Sequence, residues 1–324
     1  MTTQETPERT STFAELFDRI TSNMSAVIRG KQHVIDLSVL CLVAQGHLLV
    51  EDVPGVGKTS LAKALARSLD CSFGRVQFTP DLLPSDVLGV SVYNQRDQSF
   101  EFRPGPVFTS ILLADEINRA SPRTQSALLQ AMQEYHVTVA GAAHDLPRPF
   151  HVLATQNPLE QEGTYPLPEA QLDRFLMQVD VPYPEMAAER RILLETTGAQ
   201  ESVARPAVTM ERLAQIQALI RQMPVPESVV DAILELVRAA RPGHGNAKVD
   251  ETVSWGPGPR AGQAMMLCAR ARALYDGRLA PSIDDVRALA EPILQHRMAL
   301  TFSARAEGIG IRDVIAGLVT PKAG

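Results

Sequence analysis

The glycine-rich segment EDVPGVGKTS, from Glu51 to Ser60, constrains the fold most because it separates two patterns of different period. The apolar run from Leu48 to Val50 precedes it, and a leucine at every fourth position from Leu61 to Leu69 follows it. Glycines let the backbone turn tightly after a buried strand, so that N–H groups point at an anion near the positive end of the next helix. This context predicts a phosphate-binding loop. The alternative is an ordinary glycine turn between a strand and a helix.

The residues of this loop that we expect to contact a nucleotide share one short stretch. They are Gly55, Val56, Gly57, Lys58, Thr59 and Ser60. Lys58 would reach the β- and γ-phosphates, and the Thr59 hydroxyl would bind Mg²⁺. The strict pattern has glycine where this chain has Asp52, so the match is incomplete. The expected ligands are ATP and Mg²⁺.

Composition limits the class of protein and its partners. The 324 residues suffice for two domains, and a hydrophobic content of 45% can fill a substantial core. A formal charge of −6 argues against general affinity for nucleic acid or anionic lipid. The three cysteines are odd in number and lie far apart, so they indicate neither a disulfide framework nor a C-x-x-C metal site. The longest apolar stretch, from Leu37 to Ala44, is too short to cross a bilayer. We therefore expect a cytoplasmic protein without membrane insertion.

Short apolar runs alternate with helical patterns in the first half of the chain. The strand candidates are residues 47–50, 75–78, 111–114 and 151–155. This alternation predicts a mostly parallel sheet with helices on both faces. Alternating apolar residues around polar turns also predict β-hairpins at residues 90–102 and 137–147, with surface loops as the alternative.

The pattern changes after the stiff connector Pro182-Tyr183-Pro184. No convincing strand follows, and apolar spacing predicts only helices. The expected organisation is a flexible N-terminus at residues 1–12, an α/β core at 13–184 and a helical domain at 185–324.

Two carboxylates follow the apolar strand that begins at Ile111, which places both at the ligand-binding edge of a parallel sheet. Asp115 would hold the Mg²⁺ shell opposite Thr59. Glu116 would orient and deprotonate the water that attacks the γ-phosphate. Taken alone, such a pair is often merely structural; its position after a phosphate loop makes the functional interpretation more specific.

Three further polar residues are candidates, each with an ordinary alternative. Asn157 ends the next core strand and could contact both the water and the γ-phosphate, although Asn before Pro commonly starts a turn. Arg174 could act as a finger on a neighbouring subunit's ATP, or it could be a surface or Asp173-paired arginine. Arg260 follows Pro259 at a helix start and could report loss of the γ-phosphate if that domain folds over the pocket. A solvated helix-terminal arginine is its alternative.

In this order, the motifs resemble those of the MoxR family of AAA+ ATPases over most of the chain. The phrases that carry the resemblance, beyond the phosphate loop, are QFTPDLLPSD at residues 77–86, ADEINRA at 114–120, ATQNP at 154–158 and EAQLDRF at 169–175. Aspartate at position 52, where the strict pattern has its first glycine, is compatible with MoxR-like sequences. The resemblance assigns Lys58 and Thr59 to Walker A, Asp115 and Glu116 to Walker B, Asn157 to sensor 1, Arg174 to the arginine finger and Arg260 to sensor 2.

The resemblance also implies a fold and an assembly. The fold is an AAA+ P-loop core of α/β class with a mostly parallel sheet, two β-hairpin insertions and a C-terminal all-α lid domain. Val27 and Ile28 would contact the adenine side, and the hairpins, at about 87–108 and 137–147, would project toward the axis of a homo-oligomeric ring, usually of six subunits. Such proteins resemble chaperones that remodel partner proteins, often ones with von Willebrand factor A domains.

Two rival functions remain open at this stage. Related AAA+ branches with the same insertion act on DNA, although the acidic charge balance disfavours a nucleic-acid motor here. A nucleotide-gated assembly module without sustained turnover is the second rival. The combination of Lys58, Glu116, Asn157 and Arg174 disfavours it.

Overall fold

The computed structural model describes residues 5–52, 57–157, 163–183, 185–196 and 203–320. The N-terminal part alternates strands and helices, as the apolar patterns predict. Its elements in chain order are α1 (Glu5–Ser25), α2 (Gln32–Val43), β1 (Leu48–Asp52), α3 (Lys58–Ser68), β2 (Phe73–Gln77), α4 (Pro84–Leu88), β3 (Gly89–Asn94), β4 (Ser99–Pro104), β5 (Ile111–Asp115), α5 (Pro122–Glu134), β6 (His136–Val139), β7 (Ala142–Asp145), β8 (His151–Gln156), α6 (Glu169–Leu172) and β9 (Met177–Val181).

A five-stranded parallel sheet forms the centre of this part, in the order β2-β5-β8-β1-β9. Because all five strands run in the same direction, their carboxyl ends share one edge of the sheet. Every residue of β5 is buried, which explains its continuous apolar run. The α/β fold class and the four predicted core strands are confirmed.

The sequence interpretation missed β9, the strand that pairs with β1 at the edge of the sheet. Its apolar residues alternate with polar ones: Met177, Val179 and Val181 are buried, while Asp180 is half-buried. Alternation of this kind is the sign of a strand, and it was present in the sequence.

The first helix begins earlier than the sequence pattern indicates. Phe13, Leu16, Phe17 and Ile20 recur at helical spacing and are all buried, and α1 already starts at Glu5. The residues before Phe13 in the sequence are polar, so periodicity alone could not find the start.

Both predicted hairpins are present. Strands β3 and β4 pair antiparallel, as do β6 and β7. The two hairpins meet where the ring of Phe102 stacks on the ring of His144, with a centroid distance of 3.8 Å. They therefore lie side by side on the same side of the core.

The C-terminal part is mainly helical. Its elements are α7 (Met186–Thr196), α8 (Met210–Gln222), α9 (Glu227–Ala239), α10 (Ala247–Thr252), β10 (Val253–Trp255), α11 (Pro259–Tyr275), α12 (Ile283–Leu294), β11 (Ala299–Leu300), α13 (Phe302–Ala306) and α14 (Ile311–Val319). The expectation that no strand follows residue 184 is wrong in one detail, because β10 and β11 pair antiparallel. These two strands are too short for an alternating pattern to reveal them.

The helical part packs directly on the core. Helix α11 contacts both α1 and α2, and one apolar cluster continues from Phe17 and Leu48 to Met265 and Leu289. The proposed domain boundaries at residues 12 and 184 stay predictions.

Candidate functional site

The phosphate loop joins β1 to α3. Helix α3 begins at Lys58, directly after Gly57, whose φ of 90° lies in the left-handed region that favours glycine. Thr59 and Ser60 continue the first turn of this helix, where unpaired backbone N–H groups favour an anion. The candidates Gly55 and Val56 lie outside the described residues.

Asp115 ends β5 and meets the loop. The residue is 1% exposed. One oxygen lies 3.0 Å from Lys58 Nζ and accepts a hydrogen bond from the Thr155 hydroxyl at 2.9 Å, while the other lies 2.6 Å from Arg75 Nη2. Burial raises the pKa of this carboxyl, but the hydrogen bonds from Lys58, Arg75 and Thr155 outweigh burial and hold the pKa below its usual value. Asp115 is thus a carboxylate in the folded protein.

Glu116 follows Asp115 but lies in a different environment. Its φ of 57° turns the chain out of the strand direction. The side chain is 24% exposed; its Oε2 accepts a hydrogen bond from Gln77 Nε2 at 2.7 Å and lies 3.2 Å from Arg119 Nε. The backbone N–H of Glu116 donates to Thr155 Oγ1 at 2.8 Å, so Thr155 links both acidic residues. Water can therefore reach Glu116 but not the buried Asp115.

Asn157 lies just beyond β8, the strand between β5 and β1. It is 7% exposed. Parallel pairing places Ala154 beside Ala114 and Leu49, so Asn157 extends past the same sheet edge as Asp115 and the phosphate loop. The structure therefore brings Asn157 to the sheet edge that carries Asp115.

Val27 and Ile28 follow α1. Ile28 is 7% exposed and belongs to the main apolar cluster, and Val27 is half-buried against that cluster. Gly30 packs so tightly on α7 that an added Cβ would come within 2.6 Å of the Ala188 Cβ. Gly30 and Glu51 line a shared cavity of about 640 Å³ at the carboxyl ends of β1 and β9. This cavity has room for a nucleotide base beside the segment from Val27 to Gly30.

Arg174 lies at the opposite edge of the sheet. It precedes β9, whose first residue, Met177, pairs with Leu48 at the start of β1. The backbone N–H of Leu176 donates to the carbonyl of His47 at 2.8 Å. The length of β1, roughly 16 Å at the usual rise per residue, therefore separates Arg174 from the phosphate loop of its own chain.

Arg260 lies with Arg174 and not with Lys58. It is in the first turn of α11, as predicted, and its Nε is 4.0 Å from Asp173 Oδ2. Both arginines line a cavity of about 280 Å³ at the amino end of β1. The predicted contact of Arg260 with a γ-phosphate stays a prediction; in the structure α11 packs on α1 and α2, and Arg260 lies at the amino end of β1.

Comparison with known proteins agrees with these motifs. The model of the ATPase family associated with various cellular activities (AAA) matches residues 47–177, and that of the AAA lid domain matches residues 246–317. The chain is 39% identical over 300 residues to Chaperone MoxR1 of Mycobacterium tuberculosis, covering 92% of this chain and 79% of that protein. The chain belongs to the MoxR family of AAA+ ATPases. It is also 43% identical over 311 residues to the uncharacterised protein YeaC of Bacillus subtilis, covering 94% of this chain and 95% of YeaC.

A solved structure has the same fold. The crystal structure of a candidate ATPase from Cytophaga hutchinsonii superposes on this MoxR-family chain with a TM-score of 0.90 at 36% identity. The match covers 98% of this chain and 97% of the other. Nucleotide binding and ATPase activity are thus the general function of the fold described here.

The sequence interpretation missed four arginine or glutamine contacts of this MoxR-family site. Arg75 and Gln77 flank buried Val76 on β2, and their side chains contact Asp115 and Glu116. Arg119 contacts Glu116, and Arg297 contacts Asp173. The alternation of a strand around Val76 could have placed Arg75 and Gln77 on the same face of β2. No local sequence pattern, however, shows that they contact Asp115 and Glu116.

Within the described part of the chain, none of the helices combines the length and apolar character needed to cross a membrane.

Proposed function

We propose that this MoxR-family protein binds ATP with Mg²⁺ and hydrolyses it in a ring, of six copies, in which each copy completes its neighbour's site. One observation carries the proposal: Lys58 and Arg174 lie at opposite edges of the same sheet. An arginine in this position cannot serve its own phosphate loop, but it can serve that of an adjacent copy in a head-to-tail ring.

The residues at the loop fit a nucleotide and its metal. The first turn of α3 presents N–H groups and Lys58 to the phosphates. Thr59 and Asp115 supply the hard oxygen ligands that Mg²⁺ prefers, and both lie beside Lys58. When bound, Mg²⁺ would neutralise charge on the β- and γ-phosphates.

The remaining candidates divide the hydrolytic work. Glu116, the partly exposed carboxylate, would orient the attacking water and accept its proton. Asn157 would position the same water by hydrogen bonding. Arg174 and Arg260 of the adjacent copy would stabilise the negative charge that builds on the transferred phosphoryl group.

Coupling to a partner protein is part of the same proposal. The hairpins β3–β4 and β6–β7 are in contact through Phe102 and His144, so a shift of one moves the other. We propose a chaperone-like activity in which this pair of hairpins acts on a client or a partner with a von Willebrand factor A domain. The formal charge of −6 favours a protein over a nucleic acid as partner. The unpaired cysteines favour the cytoplasm.

A subunit-mixing experiment tests the shared site. Lys58→Ala disables the phosphate loop of its own chain. Arg174→Ala leaves that loop intact and removes only the arginine that the chain contributes to the site of the adjacent copy. Each variant alone should have little ATPase activity. Their one-to-one mixture should recover about a quarter of the parent activity, since about a quarter of random interfaces pair an intact loop with an intact arginine. A mixture no more active than its components, or an Arg174→Ala variant as active as the parent, would refute the shared site.

A further inference from the structure

Arg297 is a fully buried arginine at the contact between the lid and the sheet. It ends a short 3-10 helix, Gln295–Arg297, and is 2% exposed. Its Nε donates to Asp173 Oδ1 at 2.8 Å. Its two terminal nitrogens donate to carbonyls of Leu176 at 3.1 Å, Ile293 at 2.7 Å and Phe175 at 2.5 Å. One lid side chain thus holds the carboxylate and two carbonyls of the turn that contains Arg174.

Burying a guanidinium is costly unless its charge and its N–H groups are paired. Here every nitrogen of Arg297 has an acceptor, and the planar fork matches acceptors that lie in different directions. A lysine has one nitrogen and could not hold these acceptors together. The turn at residues 173–176 is therefore held by a geometry that only arginine provides.

Asp173 is shared between two arginines of the lid. Its Oδ1 bonds Arg297, and its Oδ2 is 4.0 Å from Arg260. Arg174 is the next residue in the chain, and it lines the same cavity as Arg260. The position of Asp173 thus sets the spacing between one arginine of the core and one of the lid.

We propose that Arg297, acting through Asp173, is a positioning residue that presents Arg174 and Arg260 together to the nucleotide of the adjacent copy. This inference rests on the proposed shared site. Arg297 touches no phosphate itself. It couples the lid to the arginine turn, so a movement of the lid moves both arginines at once.

The lid offers a matched control. Arg278 donates two hydrogen bonds to Asp285, at 2.8 and 2.6 Å, so it also forms a forked pair with a buried aspartate. Its partners Asp276, Asp285 and Ala280 all belong to the lid. Arg278→Lys should therefore leave the arginine turn in place.

The test compares Arg297→Lys, Asp173→Asn and Arg278→Lys in the full chain. The first two should lower kcat by about 100-fold, since a displacement of about 1 Å can cost that much. ATP affinity, measured by calorimetry, should fall far less than kcat because the chain's own loop is intact and supplies most of the contacts to ATP. Arg278→Lys should retain the parent kcat. If Arg297→Lys does not fold, Asp173→Asn tests the same contact from its half-buried side.

Mixing each variant with Lys58→Ala then distinguishes a loss of arginine positioning from general damage to the fold. Arg297→Lys mixed with Lys58→Ala should recover activity to the level of the mixture of Arg174→Ala with Lys58→Ala. If the Arg174→Ala mixture recovers and the Arg297→Lys and Asp173→Asn mixtures do not, the positioning role is wrong while the shared site stands. If the Arg174→Ala mixture does not recover, the shared site itself fails. Equal losses of kcat and ATP affinity in the first two variants would also overturn the inference.

Discussion

Asp115 and Glu116 are neighbours in the chain, yet their carboxylates have different surroundings. Asp115 is buried between Lys58, Arg75 and Thr155, whereas Glu116 is partly exposed. A buried carboxylate that stays ionised suits a metal ligand, and an accessible one suits proton transfer. The environments therefore support the division of roles between the two acids.

For Glu116 we predict that the substitution Glu116→Gln abolishes ATP turnover but not ATP binding. The amide keeps the size of the side chain and can still accept from Gln77, but it cannot take a proton. We expect kcat to fall by about 100-fold or more, measured as phosphate release, with ATP affinity close to that of the parent. Glu134→Gln, at the exposed end of α5, should leave kcat unchanged. Normal hydrolysis by Glu116→Gln would exclude this residue as the base.

At the scale of elements, the order of strands decides which residues can act together. Because β8 lies between β5 and β1, its end carries Asn157 to the edge shared by Asp115 and Lys58. Because β9 runs parallel to β1, the turn before it is at the other edge, with Arg174. The same sheet therefore separates two groups of candidate residues that the proposed mechanism of hydrolysis requires together.

The amino edge of the sheet also holds two buried histidines. The rings of His47 and His151 stack at 6.3 Å, and His47 Nδ1 accepts from the Val152 N–H at 3.1 Å. Burial lowers the pKa of His47 to about 4 and that of His151 to about 3, from 6.5 in the unfolded chain. Both rings are neutral in the folded protein at neutral pH.

These histidines predict how stability depends on pH. Below about pH 6.5 the unfolded chain binds protons that the folded chain excludes, so the free energy of unfolding should fall with decreasing pH. The contribution of His47 falls until about pH 4, and that of His151 until about pH 3. His151→Asn keeps a donor for the Gly46 carbonyl and should flatten this dependence, measured by urea unfolding. An unchanged slope in the variant would contradict the assignment.

At the scale of the whole molecule, the two edges of the sheet predict assembly that depends on ATP. An arginine pair at one edge can reach a triphosphate at the other edge only in an adjacent copy, so bound ATP should stabilise the interface. Glu116→Gln with ATP should therefore sediment as a larger particle than the nucleotide-free protein. Lys58→Ala, treated in the same way, should not change size. Equal sedimentation of both variants with ATP would argue against a nucleotide-bridged interface.

Local patterns in the sequence determined much of this protein. The apolar runs predicted four of the five sheet strands, and the glycine loop with the spacing of Leu61, Leu65 and Leu69 predicted β1 and α3. The acidic pair after β5 placed two candidate residues at one sheet edge. These features depend on residues close in the chain, since backbone periodicity and turn chemistry act over a few positions.

Tertiary packing determines which distant residues meet. The run Gln295–Arg297 is polar, yet Arg297 is buried, with Asp173 and three backbone carbonyls as its hydrogen-bond acceptors. The sequence places Arg260 at a helix start, but its position beside Arg174 depends on the packing of α11 on α1 and α2. Helix docking depends on the shapes of whole apolar faces. The residues next to an arginine in the sequence therefore do not indicate which distant side chain will contact it.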